Sequence, residues 1–199
     1  MEHLWDDVRA TSPAELVAVA TGIVYVILIM RRNRLGWLAG AVSSLIYVWL
    51  AATARLPMQS ALQAYYVVMA AYGWWSWTRN QQEEGGRIHS WPWVRHAVAL
   101  LAVVIASAAS ARLLAEETRA AWPLLDSLTT MVSLLATWMV ARSILQNWLY
   151  WIGADAVMTF LFQQQGHPFT ALLFMFYLIV AILGFRKWRQ LYRAQTIAA

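Results

Sequence analysis

Residues 31 to 79 of this chain align with residues 142 to 190 without a gap, at a constant offset of 111. Ten positions are identical, among them Trp37 with Trp148, Pro57 with Pro168, Tyr66 with Tyr177, Gly73 with Gly184 and Trp77 with Trp188. Trp, Pro and Gly rarely coincide by chance in an Ala/Leu-rich background, so the chain carries a duplicated unit. Both copies are apolar enough to cross a bilayer, which points to a pore or carrier organised about a pseudo-symmetry axis.

Composition agrees, because 61% of the 199 residues are hydrophobic and only 13% charged, beyond the range of an ordinary soluble domain. Nearly uncharged runs occupy residues 14 to 30, 35 to 54, 56 to 77, 96 to 111, 120 to 141, 143 to 165 and 168 to 185. A spanning helix needs roughly 20 apolar residues, with about 17 tolerated, so seven spans are expected. Glu2, Asp6 and Asp7 precede the first run and Arg31, Arg32 and Arg34 follow it. A secretory leader has the opposite polarity, so this run reads as a retained anchor. The absence of Cys excludes a disulfide framework and a thiolate metal site. A pI near 9.9 raises the question of nucleic acid, but the basic residues lie in short loops between spans, where a membrane explains them better.

With the N-terminus outside, eleven of the fifteen Arg and Lys fall in the cytoplasm, as the positive-inside rule requires. Only Arg9, Arg55, Arg112 and Arg119 remain outside. The offset carries the second span onto the sixth and the third onto the seventh, so corresponding spans are four apart and the triplets run in parallel. The expected architecture is an all-α integral membrane protein of seven helices in a 3+1+3 order. Its first repeat covers residues 14–79, its linker helix 96–114 and its second repeat 120–190. Glu15 and Asp126 also differ by 111, each in the first turn after Pro13 or Pro123, where acids favour a helix N-terminus; Ser12 and Glu15 have capping-box spacing.

A duplicated scaffold acquires a specific site by divergence between its copies. In the sixth span Asn147, Trp151 and Asp155 recur at i, i+4 and i+8 and share a face, with Trp148 beside them. Gly36, Gly40 and Ser44 hold these positions in the second span, a small-xxx-small pattern that suits close helix packing. Asp155 lies near the middle of its span, where a carboxylate costs at least ~2.5 kcal/mol on insertion scales and is kept for an interior or watery purpose. A hydrogen-bonded structural acid is the alternative. Asp126, Thr130, Ser133 and Thr137 form a polar stripe on the fifth span, although Ser and Thr in membrane helices often bond their own backbone. Gln63 and Tyr66 share a face of the third span, where the other copy has Phe174 and Tyr177. A ring face, an amide and a negative charge together suit a flat cationic ligand; core packing is the competing reading for either Trp. The Trp-rich ends, Trp74, Trp75, Trp77 and Trp188, are expected to form an interfacial belt.

The segments GWLAGAVSSLIYVWL, LQAYYVVMAAYGWWSW, NWLYWIGAD and ALLFMFYLIVAILGFRKW resemble the PnuC family of vitamin transporters and span nearly the whole chain from the second helix onward. The resemblance implies a SWEET-like fold, usually in a homo-oligomer such as a trimer, and facilitated diffusion of nicotinamide riboside across the cell (inner) membrane. It also implies a cytoplasmic kinase that traps the vitamin. It puts Asn147, Trp148 and Trp151 in the substrate site, with Gln63, Tyr66 and Tyr177 as further contacts. Around ATWMVAR riboside-type members would carry a Gln, whereas this chain has Thr137 and Trp138, which keeps thiamine and riboflavin open as substrates.

On this reading ligand enters from outside, stacks on Trp151 and hydrogen-bonds to Asn147, Gln63 and the Thr137 region, and the bundles rock about a midplane site. No cofactor is implied. His3, His89, His96 and His167 mostly fall at span ends or in loops, so proton coupling is not expected. An intramembrane enzyme would need a nucleophile with a base or clustered metal ligands, and the sequence has neither pattern. A purely structural or receptor-like subunit would have no need of polar asymmetry between the copies.

Overall fold

The computed structural model describes residues 12–114 and 123–197. Glu2, His3, Asp6, Asp7, Arg9, Arg119 and the expected start of the second repeat at residue 120 lie outside the described residues. Within them the chain forms α1 (Pro13–Met30), α2 (Leu35–Thr53), α3 (Pro57–Glu84), α4 (Trp93–Leu114), α5 (Pro123–Ala141), α6 (Asn147–Gln164) and α7 (Pro168–Ile197). Four of the seven open on Pro, whose missing N–H costs nothing in a first turn. At α1 the Ser12 Oγ accepts the Glu15 N–H at 3.2 Å, as the capping spacing anticipates.

Five helices are long and apolar enough to cross a membrane: α1, α2, α4, α5 and α7. The two that fall short, α3 and α6, carry six of the eight candidate site residues, and those polar and aromatic groups lower their hydropathy. Many large apolar side chains stay exposed on the outer surface, among them Trp49, Val68, Leu101, Ile105, Leu172 and Ile179. Water would penalise such a surface, whereas lipid tails do not.

The chain divides into two compact units, the first running through Arg87 with Ala141–Ser143 and the C-terminal residues from Ala194, the second comprising Ile88–Val140 and Ile144–Arg193. In the first unit α1 and α2 pack closely. A Cβ on Gly40 would sit 2.8 Å from the Tyr25 ring and one on Gly36 3.1 Å from Leu28 and Ile29, while Ser43 Oγ donates to the Ala18 carbonyl at 2.8 Å. The small-xxx-small pattern therefore does what its spacing predicts. In the second unit Ser107 Oγ of α4 donates to Val103 O at 2.7 Å and to Ser127 O of α5 at 3.4 Å.

The residues identical between copies build one arrangement twice. Trp37 meets Trp77 edge-on with ring centroids 5.5 Å apart at 85°, and Trp148 meets Trp188 at 5.6 Å and 83°. A Cβ on Gly73 would collide with the Trp37 indole, and one on Gly184 would lie 2.7 Å from that of Trp148. Only glycine lets the indole lie flat on the helix backbone. Trp77 and Trp188 are consequently 4% and 0% exposed, which corrects the expectation that they join an interfacial belt. Trp75 is exposed and Trp74 half-buried, and Arg79 and Arg34 lie over their rings, as interfacial Trp would have it.

The polar stretch from Asn80, beyond the apolar run that ends at residue 77, continues α3 to Glu84 before Gly85 ends the helix at φ 61°. An Arg79–Glu83 ion pair at 2.9 Å and an Asn80–Glu84 hydrogen bond, both at i, i+4, sustain the extra turn. The Glu83 carboxylate raises the Arg79 pKa in turn, through the hydrogen bond first and charge second. The run expected from residue 143 instead begins with a turn, Ser143 at φ 56°, and the helix starts at Asn147. Arg32, the residue equivalent to Ser143 in the other copy, has φ 60°. The two equivalent positions touch: Arg32 Nη1 donates to Ser143 Oγ at 2.8 Å, and its Nη2 to the Gly86 carbonyl at 3.0 Å, while the guanidinium lies 4.3 Å over Trp77. Burial pulls its pKa down to about 10.

Candidate functional site

The second unit presents most of the candidate residues. Asn147 forms the first turn of α6 and is fully buried; its Nδ2 donates to Ile144 O at 2.6 Å, and its Oδ1 is buried without a partner. Two turns on, Asp155 occupies the middle of α6 and is 5% exposed, with no hydrogen-bond partner for its carboxylate among the described residues. Trp151 lies between them, half-buried. At 1.5 Å rise per residue the strip from Asn147 to Asp155 is about 12 Å long. A buried acid and an unpartnered buried amide oxygen on one face of one helix are unusual, because buried polar groups are costly and normally find partners.

Trp148 takes a different position. It is 1% exposed and its ring is held between Gly184 and Trp188. Trp37 makes the same contacts in the copy that lacks the polar face, so packing alone accounts for them. Thr137 is buried on α5, where its hydroxyl donates to Ser133 O at 2.8 Å, the backbone bond that a membrane Thr commonly makes. Tyr177 of α7 joins an aromatic cluster: its ring meets Phe174 edge-on at 6.1 Å, and Phe174 stacks on Phe162 of α6 at 5.3 Å and 9°.

Gln63 and Tyr66 belong to the first unit. Both are half-buried on α3, and the Tyr66 ring lies 5.8 Å from Tyr65. Beside them is Tyr25 of α1, an electrostatic neighbour of Tyr66, whose ring rests on Gly40. Tyr25 was not singled out from sequence, yet the offset contains the signal. Tyr25 and Gly40 in one copy correspond to Ala136 and Trp151 in the other. Each copy thus has one bulky aromatic at this pair of positions, supplied by opposite helices, and Ala136 is fully covered. A second group that sequence reasoning missed is His96, buried on α4, which shares a 2.9 Å hydrogen bond with Tyr150 of α6.

Comparisons with known proteins bear on the family and the fold. The family model described as nicotinamide mononucleotide transporter matches residues 12–190. The riboflavin/roseoflavin transporter RibM of Streptomyces davaonensis is 22% identical over 179 residues, covering 88% of this chain and 84% of its own length. The nicotinamide riboside transporter PnuC of Escherichia coli is 24% identical over 153 residues, 64% of each chain. A crystal structure of the vitamin B3 transporter PnuC superposes with TM-score 0.73 at 20% identity, covering 91% of this chain and 82% of that one. Fold and match define the class, a multi-pass helical membrane transporter. The chain belongs to the nicotinamide mononucleotide transporter family, in line with the PnuC-type resemblance of its motifs.

Proposed function

We propose that the protein carries a flat vitamin, nicotinamide riboside in the first place, across the cytoplasmic membrane by facilitated diffusion, and that α6 reads the ligand. The observation that carries this reading is the α6 face itself, where the buried acid Asp155 and the buried, unpartnered amide oxygen of Asn147 stand on either side of the half-buried Trp151 indole. A ligand cation would answer Asp155, a ligand N–H or O–H would answer Asn147 Oδ1, and a planar ring would stack on Trp151. Trp148 stands behind this face as scaffold. Gln63, Tyr66, Tyr177 and Thr137 are proposed as further contacts on the strength of the motif resemblance. The bias of Arg and Lys among the loops supports an N-out, C-in topology, and the same resemblance supports a homo-oligomer and trapping of the vitamin by a cytoplasmic kinase.

Riboflavin is the second reading. The riboflavin/roseoflavin relative is matched over 84% of its length, against 64% for the nicotinamide riboside relative. Calorimetric titration of purified protein with nicotinamide riboside, thiamine and riboflavin separates the candidates. The expected result is one tight binder, lost in Trp151→Ala at unchanged thermal stability. Equal binding by Trp151→Ala would remove α6 from the mechanism, and turnover of a bound compound would reinstate an enzyme.

A further inference from the structure

The start of α6 is fastened by a row of polar contacts that the other copy lacks. Leu145 N–H donates to His89 O at 2.8 Å. Gln146 Nε2 donates to Ser90 Oγ at 2.7 Å and to Trp91 O at 3.2 Å, while its Oε1 accepts the Trp91 N–H at 3.1 Å. One turn further, Tyr150 OH and His96 Nδ1 lie 2.9 Å apart, with the donor set by the imidazole tautomer. The Trp91 ring lies 5.4 Å from His96 and 5.7 Å from Trp138 of α5. All these groups belong to the second unit. At the equivalent positions of α2, Gln146 and Tyr150 are replaced by Leu35 and Ala39.

The register of this row matters. Gln146 and Tyr150 each precede a member of the ligand-reading row, Asn147 and Trp151, and one residue is about 100° around a helix. Apolar packing tolerates small rotations of a membrane helix, whereas directional hydrogen bonds do not. Anchoring the 146/150 row therefore sets the direction in which the 147/151/155 row points. His96 is a costly way to obtain stability alone, since an imidazole only 7% exposed has given up nearly all its hydration. An apolar side chain would fill the same space without that cost.

We propose that His96, Tyr150 and Gln146 are positioning residues that fix the rotation of α6 and so aim Trp151 and Asp155. The inference rests on α6 being the ligand-reading helix, and its test separates the two claims. Full-length protein labelled with 5-fluorotryptophan is placed in nanodiscs, and the Trp151 resonance is identified by its loss in Trp151→Phe. Tyr150→Phe removes one hydroxyl, and Gln146→Leu installs the residue of the other copy. In both, the Trp151 resonance is expected to move. The Kd for whichever of nicotinamide riboside, thiamine and riboflavin the parent protein binds is expected to rise five- to tenfold, roughly the factor that one hydrogen bond is worth. A stationary resonance in both variants overturns the positioning role, even where binding weakens, because the loss then follows stability. A parent protein that binds none of the three compounds overturns the α6 reading instead, and the resonance alone then decides the positioning claim.

Discussion

Asp155 and Trp151 make opposite demands on the protein, and single substitutions can separate them. A buried carboxylate without a partner is destabilising, so Asp155→Asn is expected to raise the melting temperature while weakening a cationic ligand about tenfold, the loss of one favourable charge contact. A fall in both quantities would identify Asp155 as a structural acid. At the notch where α1 meets α2, Gly40→Ala is expected to destabilise by ~1–3 kcal/mol through overpacking against the Tyr25 ring, and Tyr25→Ala in the same chain to recover part of that loss. Denaturation of the single and double variants measures both. The contrast between Trp148 and Trp151 marks the limit of the sequence at this scale. Two Trp three residues apart look equivalent until Gly184 and Trp188 are seen to clasp one of them. The repeat separates the two nonetheless: Trp148 is shared with Trp37 and packs as it does, whereas Trp151 and Asp155 differ from their counterparts Gly40 and Ser44 and are the residues proposed to read the ligand.

Individual helices were legible to different degrees. Pro at four N-termini and the long apolar runs placed the spans, because bilayer thickness and backbone hydrogen bonding leave few other solutions. The far end of α3 was hidden, since Gln, Glu and Asn resemble a linker until their i, i+4 pairs are counted. The start of α6 was hidden for another reason: its turn copies that of Arg31–Arg34, where a left-handed residue occurs without glycine. At these turns Arg32→Lys is expected to cost about 2 kcal/mol, because an ammonium cannot span Ser143 and Gly86 as the guanidinium fork does. Chemical denaturation would show it. With the Arg32 pKa pulled below its ordinary value to about 10, the folded protein releases this proton before the unfolded chain does. Its contribution is therefore flat between about pH 6 and 9, and stability gains from it only as pH climbs through the folded pKa.

For the whole molecule the expected behaviour is passive flow. Uptake into proteoliposomes is expected to proceed down the vitamin gradient at the same rate with or without a pH or sodium gradient, and a requirement for either ion would overturn facilitated diffusion. The contact between Arg32 and Ser143 bears on ancestry. These positions are one and the same in the duplicated unit, and they touch. An ancestor pairing two identical copies in this way would have set arginine against arginine, or serine against serine with no guanidinium to reach the Gly86 carbonyl or cover Trp77. With arginine at one of these positions and serine at the other, the two halves are not interchangeable at this contact, so neither is expected to substitute for the other as a separately expressed gene product.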